Sequence, residues 1–200
     1  MVGIDTYDFS FTASSLRLNE MRLVASHQIK ESEIDYINEL GNGNSSTGRR
    51  MLAEFNKRLT FLSPTEKKIM VDGDLTSQKQ IAFLAVCKAH LFIRDFVVEV
   101  LREKLLVFDY EITEGDYITF YRRRNDLHPE MDELTAISQN KIKQVTFKIL
   151  EQAGLIDSVK TKIIQPQLLE ESLLSTIVSS DPQWLKVFLM SDMDIENSSI

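Results

Sequence analysis

Apolar side chains recur along this chain at intervals of three and four, the spacing that gathers them on one face of an α-helix. Leu16, Met21, Leu23, Val24 and Ile29 mark a first helix over 15–30, and 31–40 reads as a short second one. Gly41-Asn42-Gly43-Asn44-Ser45-Ser46 interrupts the pattern as a loop. Ser46 or Thr47 is then placed to cap a helix that reaches Phe61. Ser63-Pro64-Thr65-Glu66 has the form of a capping box with proline at the first helical position, and Gly73 stops the short helix it opens. After a helix over 76–90, Phe92, Phe96, Val97, Val100, Leu101, Leu105 and Phe108 make 92–108 the most apolar helix, predicted to be the central core helix.

Thr113-Glu114-Gly115-Asp116 opens a helix to about Arg124, and His128-Pro129 ends that region because proline disfavours helix in the residue before it. The next long helix covers 134–153, with Gly154 as its stop. Alternation in Val159-Lys160-Thr161-Lys162-Ile163-Ile164 predicts a short strand or a two-strand wing. Helices over 168–178 and 182–189 close the pattern. The predicted class is all-α, with an N-terminal helical part over 1–112 that carries a basic helix at 47–61. A C-terminal helical part covers 113–190, and an acidic tail, expected to be mobile, covers 191–200.

Composition narrows the function classes. Hydrophobic residues make up 43% and charged residues 26%, ordinary for a globular chain, so wholesale disorder is not expected. The apolar run 81–107 is broken by Lys88, His90, Arg94, Asp95, Glu99, Arg102, Glu103 and Lys104, which excludes a membrane span there. The first residues lack the basic and apolar regions of a secretory signal, and the single cysteine, Cys87, fits a reducing cytoplasm. His27, His90 and His128 are scattered and show no metal-ligand spacing. No nucleophile comes with a base and an orienting group. The expectation is therefore a binding protein with no catalytic residue, metal or cofactor.

The formal net charge of −7 would argue against a polyanionic ligand if it were spread evenly. Instead, residues 41–68 carry a net +4 and residues 122–164 a net +2, between acidic stretches. A patch, not a sum, meets a ligand. In the first island, a helix turning about 100° per residue puts Met51, Leu52, Phe55, Leu59 and Leu62 inward and Arg50 and Lys57 outward, flanked by Arg49 and Asn56, and Arg58 of the same helix is counted with them as a candidate DNA contact. Ser46 and Thr47 lie at its N-terminus, where free amides favour an anion. In the second island, Arg122, Arg123 and Arg124 end one helix, and Lys141, Gln144 and Lys148 form a polar stripe on the next. Lys160 and Lys162 lie on the predicted wing. Helix, turn, helix and basic wing together resemble a winged helix-turn-helix, which sets its second helix in the major groove.

Several segments also resemble the BrxA family encoded in bacteriophage-exclusion (BREX) operons. These are Ser10-Phe11-Thr12, Thr47-Gly48-Arg49-Arg50, Phe96-Val97-Val98-Glu99-Val100-Leu101-Arg102-Glu103-Lys104 and His128-Pro129-Glu130. Lys143-Gln144-Val145-Thr146-Phe147, Ala153-Gly154-Leu155 and Ile164-Gln165-Pro166 complete the series, in order over about 9–170. The resemblance implies an all-helical fold akin to the antitermination factor NusB, double-stranded DNA as a partner, and a place beside a methyltransferase, an ATPase and a phosphatase-like protein. It implies no catalytic residues. The residues and the resemblance together point to a non-catalytic, DNA-binding accessory protein that contacts phosphates through the two basic helices. A protein–protein adaptor that nucleates the defence complex, or a NusB-like RNA binder, stands as the alternative.

If 92–108 lies in the core, truncating Phe96 or Leu101 to alanine removes buried carbon and leaves a cavity. Each variant is expected to lose roughly 2–5 kcal/mol of unfolding free energy. A loss below about 0.5 kcal/mol in denaturant titration would place these residues at the surface instead.

Overall fold

A computed structural model describes residues 6–198, and the described residues are mainly helical, without a strand. Ser10–Ala13 forms a 3-10 turn, followed by α1 (Leu18–Ile29), a π turn at Tyr36–Leu40, α2 (Ser45–Thr60), α3 (Pro64–Asp72) and α4 (Leu75–Ala89). A continuous helical run then passes from α5 (Leu91–Phe96) through a π stretch (Val97–Arg102) into α6 (Glu103–Leu106). After α7 (Glu114–Asn125) come a 3-10 turn at Pro129–Met131, α8 (Ala136–Ala153), α9 (Glu171–Ser180), a 3-10 segment at Pro182–Phe188 and α10 (Asp192–Ser198).

Local chemistry sets most of these boundaries. Ser63 accepts from the Glu66 amide while the Glu66 carboxylate accepts from the Ser63 amide, the reciprocal capping box expected there. Thr113 and Asp116 make the same exchange at the start of α7. Helix α2 begins slightly earlier than Ser46 or Thr47 would start it, because the Asn44 side chain accepts from the Thr47 amide. Gly154, at φ 81°, ends α8 in the left-handed conformation that glycine adopts at least cost.

The core is built around α4, in which Ile81 to Cys87 is buried without a break. Helices α1, α2, α3, α5 and α8 all pack on it, which is why its sequence carries no polar face. The run 91–106 lies against α4 and shares the centre rather than holding it alone. Phe92, Phe96, Val97 and Leu101 are fully buried, whereas Phe108 lies past the helix end at φ 61° and is 79% exposed. Aromatic edges tie this run to its neighbours: Phe96 meets Phe120, Tyr117 and Phe147 with ring centroids 5.1, 5.5 and 5.8 Å away.

Two expectations change. No strand forms over 159–164. That loop is closed by single antiparallel bridges, Ile156 to Ile164 and Glu111 to Ile163, around a turn in which Lys162 takes φ 55°. The turn follows Ile156 too soon for ladder pairing to propagate, and Asp157 and Ser158 side chains take the local amides instead. The segment expected as a mobile acidic tail holds α10, seated by Ile195, which is 3% exposed. Asp192 pairs there with Arg102 at 3.0 Å and Lys186 at 3.2 Å. Residues 199–200 of that tail lie outside the described residues.

Gly48 shows how closely the basic helix is packed. A Cβ built on it would sit 2.1 Å from the Tyr36 carbonyl oxygen, a backbone atom of the adjoining π turn. Gly48→Ala adds helix propensity worth about 1 kcal/mol, yet it must push two backbones apart. The expected result is a net loss of about 1–3 kcal/mol in denaturant unfolding. A variant more stable than the parent would show that the two backbones separate freely.

Candidate nucleic-acid interface

One expected DNA contact is instead structural. The Arg58 side chain is 0% exposed and donates from Nε to Glu54 Oε1 at 2.7 Å. Its terminal nitrogens donate to the carbonyls of Ser14 at 2.6 Å and Ser15 at 2.8 Å. Arg58 falls one position beyond Lys57, so the helical turn carries it from the outer face to the inner one. Glu54 also receives the His90 Nε2 at 2.6 Å and the Ser10 hydroxyl at 2.9 Å. Burial opposes ionisation of Glu54, but the His90 hydrogen bond and the Arg58 charge win, holding its carboxyl at a pKa of about 2. The Leu16 amide donates to Gln152 of α8 at 2.9 Å. Residues 10–16 are thus fastened to α2 on one side and α8 on the other.

That fastening forms a cleft of about 670 Å³ between residues 12–17, α8 and the 158–162 turn. Arg17, Lys141, Lys143, Lys148 and Lys162 line it, with Glu114 as the one carboxylate among its lining residues. The hydrogen bond from Lys143, with Lys162 behind it at 3.2 Å, keeps the Glu114 carboxyl below its ordinary pKa. Gln144 and Asn140 add amides to the wall. Ser14 also borders the cleft, and its buried hydroxyl has no hydrogen-bond partner among the described residues. Arg17 pairs with Glu20 and Lys148 with Glu151, yet the cluster keeps a net surplus of positive charge, which with the amide donors suits an extended anion.

The other expected contacts divide sharply. Ser46, Thr47, Arg49 and Arg50 are exposed at the start of α2, and the two arginines make no ion pair among the described residues. Lys57 is taken by Asp8. Arg123 and Arg124 both pair with Glu99, so only Arg122 of the triplet stays unpaired. Lys141 and Lys160 are exposed without a carboxylate partner, and Lys148 pairs with Glu151 three residues on. Arg17 and Lys143 were not singled out by sequence. Arg17 sits in an acidic stretch, and its place depends on a left-handed backbone (φ 44°) before α1. Lys143 lies off the stripe of Lys141, Gln144 and Lys148, facing Glu114 across the cleft.

The geometry can now be set beside known proteins. The BrxA family model matches residues 5–181. The chain belongs to the BrxA family. Among curated relatives, "BREX protein BrxA" of Paramagnetospirillum magneticum is 23% identical over 189 residues, spanning 90% of this chain and 94% of that one. Proteins of the same description from Escherichia coli and Bacillus cereus are 23% identical over 128 residues and 26% over 88, spanning 60% and 44% of their own lengths. A crystal structure of an uncharacterized protein from Magnetospirillum magneticum superposes with a TM-score of 0.79 at 18% identity, over 93% of this chain and 99% of that one. This BrxA-family chain therefore shares that crystal structure's fold over most of its length. No helix among its described residues is long and apolar enough to cross a membrane.

The buried carboxylate has a measurable consequence. Its folded pKa lies below the unfolded value of about 4.3, so its contribution to stability is complete above that value and disappears as pH falls toward about 2. Glu54→Gln is expected to flatten the fall in unfolding free energy between pH 5 and 2. Glu54→Ala, which strands a buried Arg58, should cost about 3–5 kcal/mol near neutrality. Equal acid slopes for the parent and Glu54→Gln would show that Glu54 is not held ionised.

Proposed function

We propose that this protein is a non-catalytic, DNA-binding accessory component of a BREX phage-defence system, working in the cytoplasm beside the system's methyltransferase, ATPase and phosphatase-like protein. Family membership supports the role in phage defence. The observation that carries the DNA reading is the cleft between residues 12–17 and α8, where five cationic side chains outnumber the three carboxylates that pair with them, Glu20, Glu114 and Glu151, and Lys141 has no such partner among the described residues. Exposed Arg49 and Arg50 add unpaired positive charge at the start of α2, a helix that packs on the same N-terminal turn. Phosphates are the natural ligand of such a surface, and lysines placed this way position a protein on DNA more than they read its bases.

A NusB-like helical fold with a winged helix-turn-helix in 113–190 remains the finer architectural proposal. Helices α7 and α8 and the bridged 155–164 loop supply its parts in the right order. The polar stripe of α8 lies recessed beside residues 12–17, which favours backbone contact over deep entry into a major groove. The adaptor alternative has its own support. Leu106, Val107, Phe108 and Tyr110 form an exposed apolar run at the end of the core helix.

Gel shifts on duplex DNA across a salt series test the proposal. Each phosphate contact contributes about −0.9 to the log–log slope. Replacing Arg49 and Arg50, or Lys141 and Lys148, with alanine should weaken binding to all sequences and flatten the slope by about one unit per lost contact. Folding should survive, since all four side chains are exposed. Parental affinity and slope in both variants would move the adaptor reading to first place, and a preference for structured RNA over duplex would favour the RNA reading.

A further inference from the structure

The helical run that ends at Leu106 stops in an unusual way. The Phe108 amide donates to the Leu105 carbonyl at 3.0 Å, and the Asp109 amide to the Lys104 carbonyl at 2.9 Å. That pair of bonds belongs to the helix stop in which the residue past the end turns left-handed, a position glycine usually fills. Here Phe108 holds it, at φ 61°. A bulky side chain is disfavoured in that region, whereas glycine adopts it readily. The fold gains no burial in return, since Phe108 is 79% exposed and Val107 beside it 71%. A strained backbone and exposed apolar side chains at one tip together mark a contact surface.

Acidic side chains frame this tip. Glu111 is exposed and has no ion pair among the described residues. Glu103 is exposed too, and its partner Arg102 is buried and shared with Asp192. Asp109 and Asp116 divide one lysine, Lys104, at 2.5 and 3.2 Å, and Arg123 of α7 is taken by Glu99. An apolar centre inside a charged rim is the arrangement of a protein–protein contact. Two such tips facing each other would set acid against acid, so the matching surface is a basic one.

This chain carries such a surface. A cleft of about 620 Å³ lies between the end of α1 and α3. Ile29, 50% exposed, and Val71 give it apolar surface. Lys30, Lys67 and Lys68 line it without an ion pair among the described residues, and Asp72 is the one carboxylate in its lining. Lys67 reaches only the Gln28 amide oxygen, at 3.1 Å. Lys67 and Lys68 belong to the basic island 41–68, yet the DNA surface described above does not use them. Phosphates would leave Ile29 uncovered, whereas an aromatic tip ringed by carboxylates satisfies both the apolar and the charged parts.

We propose that the Phe108 tip of one molecule docks into the Lys67–Lys68 cleft of a second copy, so that molecules associate head to tail. The proposal goes beyond the DNA reading and does not depend on it. Each added copy leaves one tip and one cleft free, so association is open-ended unless the rotation closes a ring. Salt weakens it, because the rim charges are exposed.

Sedimentation velocity on the full chain, nuclease-treated and free of nucleic acid, tests this over a concentration series at low and high salt. The average mass should rise steadily with concentration at low salt and less at high salt. Phe108→Gly suits the left-handed backbone, so it should melt no lower than the parent yet weaken association by about 10-fold or more. Lys67→Glu with Lys68→Glu reverses the cleft, and Asp109→Lys with Glu111→Lys reverses the tip. Each double variant alone should stay monomeric. An equal mixture of the two should associate again, because the basic tip of one meets the acidic cleft of the other. A parent that stays monomeric throughout the series overturns the proposal. So does association that Phe108→Gly and both charge reversals leave at parental strength, or a mixture that stays monomeric. All of these outcomes leave the DNA reading to the gel shifts.

Discussion

Burying one carboxylate at Glu54 sets the geometry of much of this molecule. Taken from water, that charge is costly unless several donors surround it, and here Arg58, His90 and Ser10 all do. These donors come from α2 itself, from the junction of α4 and α5, and from the N-terminal turn. Arg58 passes the constraint on by donating its remaining nitrogens to Ser14 and Ser15. Phe11, fully buried and edge-on to His90 at 5.3 Å, fills the space beside the network. The segment 10–16 is therefore fixed by charge and packing together, although it contains little regular secondary structure.

The cationic cleft follows from that fixation. Residues 12–17 form one wall only because Arg58 and Gln152 hold their backbone between α2 and α8. Arg17, at the end of the fastened stretch, lines the groove with the α8 lysines while its guanidinium pairs with Glu20. A structural arginine inside the protein thus fixes the backbone that carries Arg17 at the cleft wall. Loss of the buried pair would disturb the shape of the cleft without removing a residue that lines it.

Ion pairing separates cations that are available from cations that are spent. Arg123 and Arg124 neutralise Glu99, and Lys57 neutralises Asp8. Arg49, Arg50, Arg122, Lys141 and Lys160 have no such partners among the described residues. The net charge of −7 is compatible with a polyanionic ligand because the acidic surplus is placed elsewhere, as on α10.

The helical class, most helix boundaries and the burial of Phe96 and Leu101 were legible in the sequence. Periodicity, capping boxes and glycine stops act within one or two helical turns, so neighbouring residues determine them. The two basic islands were legible for the same reason, since a helix face repeats at fixed intervals. Arg58 was misread because a position at the edge of a helical face turns inward or outward according to what packs there, and that was Glu54 and His90. Arg17 and Lys143 became cleft residues, and 192–198 a docked helix, only through partners far away in the chain. Strand expectation failed at 159–164 because pairing needs a neighbour, and the turn gave it two isolated bridges. Local spacing determined which helices this protein has. Long-range packing of buried charge and aromatic rings decided which of its charges face a ligand, because desolvation depends on everything that surrounds a side chain rather than on its place in the sequence.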